Sequence, residues 1–503
     1  MSGDLALSTG LISGIDSGQL VEALTARQKE PINTMEQDQH LLGIKKEEYQ
    51  SINSAMFAVE ESLLTLSLNS TFNRKIAQTS TEGILSATAT TDAERAKYEV
   101  NVTQLAQVDQ IASDRKDSIT ESLLAEEATI EVNGVSLIVN AGVTLTGLKD
   151  AINATSKDSK VTARILDNTL VLSGTEMGAD NAIELSDTSG TLLEDIGLIE
   201  SYEPTPGADP EYRSKNVLKA AQNAVFTVDG LQISRTTNEV NDLIDEVKIT
   251  LSKTGATTLE VKHDTEDVRA KVEDFVDKYN TAIELIYNKL NAEKDFKLKG
   301  LTKEELETMD AEEIDKRETE LREQALSSDP ILRRAYNMLR SITYSNVASD
   351  GSFSILAEIG ISTGKVGSNK DETKIGKLQI FDSEKLDSAL DKNMDSLRIL
   401  FTQEAEEDEP KEKIGLAERF KESIRQFTSF NGILTRKAGR ADSTSFSLID
   451  NEIAVLQQDI AFKNRSLLKY QESLLQQFTD METALAKLQE QSQQLMSSSA
   501  GGF

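Results

Sequence analysis

Apolar positions near both ends of the chain recur every three or four residues, whereas in the middle they alternate every second residue. From Ile449 the stripe runs Ile453, Leu456, Ile460, Leu467, Leu474, Met481, Leu488 and Leu495, about seven heptads in one frame. A shorter version near the N-terminus runs Tyr49, Ile52, Met56, Val59, Leu63 and Leu66. Each seam needs a partner helix, so the spacing predicts a long paired stalk from which the middle of the chain grows out. Lys463, Gln477 and Gln491 fall in the C-terminal seam. Polar seam residues weaken a helix pair but fix its register and partner number, a pattern suited to assembly. A continuous helix from Ser443 to Leu495 would span about 75–80 Å at about 1.5 Å per residue.

Residues 1–15 are small and polar, without periodicity. Asp16 reads as a helix cap with Gln19 answering it, and Leu20, Val21 and Leu24 form the apolar side. Pro31 is expected to interrupt or restart that helix. Ile32, Met35 and Leu42 continue the stripe, with Gln39 and Lys46 at intervening positions. The spacing slips before Ile52, which would overwind a coiled coil locally.

From about residue 72 to 264 the period is two, as at Tyr98, Val100 and Val102. Two segments echo each other. Thr129 to Leu137 carries Asn133-Gly134 between strand-like runs, and Val225 to Ile233 carries Asp229-Gly230; these dipeptides are the strongest short hairpin signal. Val143–Ile152 and Val240–Leu251 are expected to pack back on the respective hairpins. Two related β-rich modules follow, and the proline-rich stretch from Glu203 through Pro210 reads as the connection between them.

Helical spacing returns at Val268, Val272, Phe275, Val276, Tyr279, Ile283, Ile286 and Leu290. Residues 293–323 are dense in charge and read as a solvated helix. Thr302 and Glu305 make a capping box, and Glu312–Lys316, Glu313–Arg317 and Glu318–Arg322 make i,i+4 pairs. Further helices are expected from Pro330 to Ile342, from Ser383 to Phe401, from Ile414 to Phe430 and from Thr444 to Leu495. A short sheet lies between Ser352 and Ile380, an acidic loop at 404–413, and a flexible tail from Ser497.

The chain has 503 residues, enough for several domains, with 38% hydrophobic and 28% charged residues and no tryptophan. Its net charge of -31 argues against nucleic acid and anionic membrane surfaces as partners. Without cysteine there are no disulfides, thiolate metal sites or cysteine nucleophile. No secretory signal opens the chain, and no run approaches a membrane span. With only His40 and His263, a histidine-based triad or metal site is disfavoured. Gly360-Ile361-Ser362-Thr363-Gly364-Lys365 is one residue short of a phosphate loop and reads as a turn between short strands. Gly10, Gly14 and Gly18 stand in a polar setting that does not suit a membrane helix pair. No catalytic, cofactor or metal site is expected.

Several segments, in this order, resemble the bacterial flagellar filament-capping proteins of the hook-associated protein 2 family. Gly14-Ile15-Asp16-Ser17 with Leu20-Val21, and the basic and proline segment Arg27 to Ile32, are similar to the family's opening. Tyr98 to Ala106 resembles a strand motif of flagellar axial proteins, and the paired hairpins resemble a repeat inserted in some flagellins. Asp329 to Arg333, Ile359-Gly360-Ile361, Gly376 to Asp382, Gln477 to Glu482 and Gln491-Ser492 are similar to its later parts. The charged stretch 293–323 and the loop 404–413 depart from the family.

The resemblance implies an α+β multidomain chain. Its long N- and C-terminal coiled-coil helices (1–45 and 463–503) would form a leg, disordered when unassembled. A helical core domain would take 46–72 and 265–462. Two inserted β-rich head domains would take 73–120 with 218–264, and 121–217. It implies a non-enzymatic homo-oligomeric ring at the tip of the extracellular flagellum, retaining exported flagellin and promoting its folding and insertion. The implied partners are flagellin, the hook–filament junction proteins, an export chaperone and the type III export apparatus, without nucleic acid, membrane insertion or cofactor. The alternatives are another axial flagellar protein or a surface adhesin. The fifteen stripe residues from Tyr49 to Leu495 are the candidate assembly positions.

Overall fold

The computed structural model describes residues 17–202, 211–364, 370–406, 409–441 and 446–500. The chain divides into two units, 1–71 with 265–503, and 72–264.

The first unit is helical. Its opening helix, Ser17–Leu66, is unbroken for 50 residues and passes straight through Pro31. Proline removes one N–H and leaves the Arg27 carbonyl without its helix partner; both residues are exposed, and the expected interruption does not occur. Asp16, Gly10 and Gly14 lie outside the described residues. Val21 is buried as expected, but Leu20 and Leu24 face outward and Thr25 is the next buried residue.

The second half of this helix forms the core of a bundle with helices Thr265–Asn291, Leu416–Thr428 and Ile433–Ala438. Apolar positions of the 265–291 helix face inward, and the Phe275 ring meets Phe420 edge-on at 5.4 Å. Polar ties lock the register. Buried Glu60 accepts from Arg425 Nε at 2.6 Å and from Thr428 Oγ1 at 2.9 Å. Tyr49 Oη donates to Asp329 at 2.5 Å, and the other Asp329 oxygen caps helix Pro330–Thr343 through the Ile331 and Leu332 amides. The expected helix from Ser383 to Phe401 is two, Ser383–Lys392 and Met394–Thr402. They break at Asn393, a residue whose side chain favours caps over helix interiors. Ile361–Ser362 pairs antiparallel with Gln379–Ile380, and Gly360 (φ +84) turns the chain beside the Asp382 carbonyl, where a Cβ would not fit.

Thr302 and Glu305 form the capping box, opening the helix Lys303–Thr308. The longer helix Ala311–Gln324 is more than solvated: it lies on the opening helix. Buried Leu301 and Leu321 anchor the segment. The Leu301 amide donates to His40 Nδ1 at 3.1 Å, His40 Nε2 meets Glu318 at 3.3 Å, and Arg322 bridges Glu47 at 2.6 Å and Glu48 at 3.6 Å. Of the expected i,i+4 pairs, Glu318–Arg322 forms at 3.4 Å.

The second unit has two hydrophobic cores. One lies under an antiparallel five-stranded sheet in the order Lys75–Thr79, Gly255–His263, Ala96–Gln104, Ala224–Val228, Leu231–Arg235. A three-stranded sheet of Glu239–Ile244, Val247–Leu251 and Leu85–Ala89 completes it. Val100, Val102, Phe226, Ile249 and Leu259 share this interior. The other core joins a four-stranded sheet, a three-stranded sheet (Val135–Val139, Ala128–Val132, Leu185–Ser189) and helix Leu145–Ala154.

Both expected hairpins form. Asn133 and Gly134 have φ of 47° and 77°, Asp229 and Gly230 of 50° and 83°, so both central residues are left-handed as a type I′ turn requires. The echo stops there. Val143–Ile152 becomes helix behind a Thr144 cap, whereas Val240–Leu251 becomes two strands. Ile111 belongs to the second core, so the chain crosses over before residue 120. The proline-rich residues 203–210 lie outside the described residues. Their flanks, Ile199–Tyr202 and Glu211–Ser214, pair antiparallel with each other, and the chain rejoins the first core later, at Ala224–Val228.

Candidate assembly surface

The two long helices pair side by side in the first unit. Lys46 Nζ donates to Asp450 Oδ1 at 2.6 Å, and Gln471 Nε2 to Thr25 Oγ1 at 3.5 Å. Rising residue numbers on one helix match falling numbers on the other, so the pair is antiparallel. The last helix, Leu448–Ala500, has 53 residues, about 80 Å at about 1.5 Å per residue. Ser447 and Asp450 begin it with a reciprocal cap: the Ser447 amide donates to Asp450 Oδ2 at 3.0 Å and the Asp450 amide to Ser447 Oγ at 3.2 Å.

The fifteen stripe positions fall into three groups. Tyr49, Ile52, Met56, Val59, Leu63 and Leu66 are all buried. Their stretch of helix is tied to the bundle by Tyr49–Asp329, Asn53–Thr435 and Glu60–Arg425, and burial pushes the Tyr49 phenol far up, helped by its bond to Asp329. Ile449 and Leu467 are buried, and Ile453, Leu456, Ile460 and Leu474 half-buried, along the pairing with the opening helix. Met481, Leu488 and Leu495 are exposed, the last two at 61% and 69%. At the observed register the first described residue, Ser17, reaches about the level of Thr479, and these three lie beyond it. The two sequence stripes therefore do not face each other.

The polar seam positions also move. Lys463, Gln477 and Gln491 are exposed, while Asn464 and Gln471 are half-buried. A straight helix at 3.6 residues per turn drifts from a strict heptad frame; Leu467 and Leu474 stay inward, while the seam positions at Lys463 and Gln477 give way to their next neighbours, Asn464 and Phe478.

Sequence reasoning missed a groove of about 570 Å³ between the two helices, lined by Leu41, Leu42, Lys45, Val455 and Leu456. Val455 is 58% exposed there; it sits one position off the heptad frame, which is why the stripe did not include it. Burial lowers the Lys45 ammonium, and the nearby Lys294 adds to the shift. Among the described residues no group of acidic, histidine or cysteine side chains could hold a metal ion, and no helix is long and apolar enough to cross a membrane.

Comparison with known proteins gives a consistent result. The family models described as flagellar hook-associated protein 2 C-terminus and N-terminus match residues 221–490 and 13–109. The B-type flagellar hook-associated protein 2 of Pseudomonas aeruginosa is 30% identical over 437 residues, covering 81% of each chain. The A-type protein from the same species is 28% identical over 96% of this chain and 95% of its own. A solved structure described as the flagellar cap protein FliD D1-D2-D3 domains from Escherichia coli aligns with 78% of this chain and 98% of its own, at 24% identity and a TM-score of 0.47. On the sequence matches, which span both units, the chain belongs to the flagellar hook-associated protein 2 family.

Proposed function

We propose that the protein is the filament cap at the distal end of the bacterial flagellum, a non-enzymatic assembly chaperone that retains exported flagellin and promotes its folding and insertion. Family membership supports the reading. The observation that carries it here is the end of the last helix. Its apolar stripe continues through Met481 and Leu488, both exposed, past the level that the described part of the opening helix reaches.

An exposed apolar stripe on a helix is a seat for another helix. In this reading the paired helices form a leg that docks against filament subunits. Copies of the chain form a ring by head-to-tail contacts, and the β-rich unit acts as the plate. A rotational ring on a helical filament cannot make all equivalent contacts at once, which leaves a gap for each incoming flagellin. Export through the flagellar type III apparatus with a chaperone on the last helix, and seating above the hook–filament junction proteins, belong to the same proposal.

Complementation of a motile strain lacking its own cap protein tests the reading. The wild-type chain restores filaments, and Met481→Glu with Leu488→Glu leaves flagellin as monomer in the medium. Normal filaments with the double variant would remove the docking role of the leg.

A further inference from the structure

The charged segment 293–323 carries opposite charge on its two halves, and the structure fixes both on one platform. From Glu293 to Lys303 there are four lysines against two carboxylates, Glu293 and Asp295; from Glu304 to Glu323, ten carboxylates and three cations. The segment cannot wander. The Leu301 amide is held by His40 and the Lys303 amide by Glu36 at 3.1 Å, and a Cβ on Gly300 would overlap the Gln37 carbonyl oxygen.

Its inward side is neutralised, with Arg322 and Glu318 engaged by the opening helix. Its outward side is not. Lys294, Lys297 and Lys299 are exposed and have no ion-pair partner among the described residues. They flank Phe296, which is 82% exposed with Lys294 Nζ 5.4 Å from its ring centre. On the acidic half Glu312, Glu313 and Asp315 are exposed, again without an ion-pair partner among the described residues.

A chain of charge -31 repels its own copies, so a ring of them needs local complementarity at the contact. Ring contacts are heterologous, joining two different patches of the same subunit. A basic edge with an aromatic anchor and an acidic face, both rigidly mounted, are two such patches.

The geometry points to a subunit–subunit contact in which the Lys294–Lys299 edge, with Phe296, docks on the acidic face around Glu312, Glu313 and Asp315 of a second copy of this chain. The inference rests on the ring in the proposed function and names its contact.

Sedimentation velocity of the full-length chain, over a range of protein concentration and salt, provides the test. The wild type self-associates, more weakly as salt rises. Lys294→Glu with Lys297→Glu and Lys299→Glu raises the concentration needed for association at least tenfold at low salt. Glu312→Lys with Glu313→Lys and Asp315→Lys does the same, and an equimolar mixture of the two triple variants recovers association. Circular dichroism melts confirm that each variant is folded; these side chains are exposed, so no loss of fold is expected. Wild-type-like association of either variant, a mixture no better than its parts, or a wild type monomeric at all concentrations overturns the contact. Restoration of filaments by the wild-type chain in the cap-less strain is scored separately, so a capping protein without this contact is distinguishable from a protein that does not cap.

Discussion

Lys46 and Asp450, 404 residues apart, meet at 2.6 Å where the opening helix receives the first turn of the last one. The same carboxylate uses its other oxygen to cap that turn through Ser447. One side chain thus starts the helix and sets its place against the neighbour.

The pH response of this joint follows. Burial raises the Asp450 pKa, but the bonds from Lys46 and Ser447 overcome it and hold the group below its ordinary 3.8. A depressed folded-state value means the stabilisation is complete above 3.8 and is lost as pH falls through the depressed value. Thermal melts at stepwise lower pH should show wild type and Asp450→Asn converging below that ordinary value. Parallel curves would remove Asp450 as the titrating group.

A Cβ at Gly300 would overlap the Gln37 carbonyl oxygen, a backbone atom of the opening helix, so a larger residue there forces a shift. Gly300→Ala should cost about 1–3 kcal/mol, the usual range for overpacking. Hydrogen exchange should show the Leu301 amide losing protection while the 265–291 helix keeps its own. Unchanged exchange at Leu301 would mean that the segment shifts as a block.

Asn238 pairs with both backbone groups of Ala106, its Oδ1 accepting at 2.8 Å and its Nδ2 donating at 2.9 Å. The Nδ2 also lies 3.5 Å from the sulfur of Met177, an exposed residue just after strand Thr169–Gly174. Asn238→Ala leaves two backbone groups unpaired, at a cost of about 1–3 kcal/mol. Faster exchange of the Ala106 amide in the full-length chain checks it; protection at the wild-type level would show that water replaces the side chain.

Much of this was readable from local chemistry. Asn133-Gly134 and Asp229-Gly230 can do little else between strands, and Thr302 with Glu305 is a complete helix start within four residues. The 268–290 stripe, with one period throughout, forms one helix. The misreadings share a physical root, because they depend on which neighbour an element meets. Proline at 31 carries a local cost, yet the helix is continuous on both sides of it, so a local breaker alone did not set the boundary. Helix 311–324 looks solvated until His40, Glu47 and Glu48, distant in sequence, supply its partners. The two long stripes read as one seam, yet Tyr49 to Leu66 serve a bundle while Ile449 to Leu474 pair with an earlier stretch of the same helix. Periodicity reports that a face is apolar and leaves its partner unstated.

That division gives a contrast between two leucines on one helix. Leu467 is buried and Leu488 exposed. Leu467→Ala should lower stability by about 2–4 kcal/mol, whereas Leu488→Ala should stay within about 0.5 kcal/mol of wild type. Denaturant titration separates them, and equal losses would place Leu488 against a partner within the same chain.

The capping role itself is tested most directly by where the protein sits. Gold-labelled protein added to sheared filaments and viewed by electron microscopy should mark one end of each filament and leave the shaft bare. Label distributed along the shaft would contradict the account and make this chain a polymerising axial subunit.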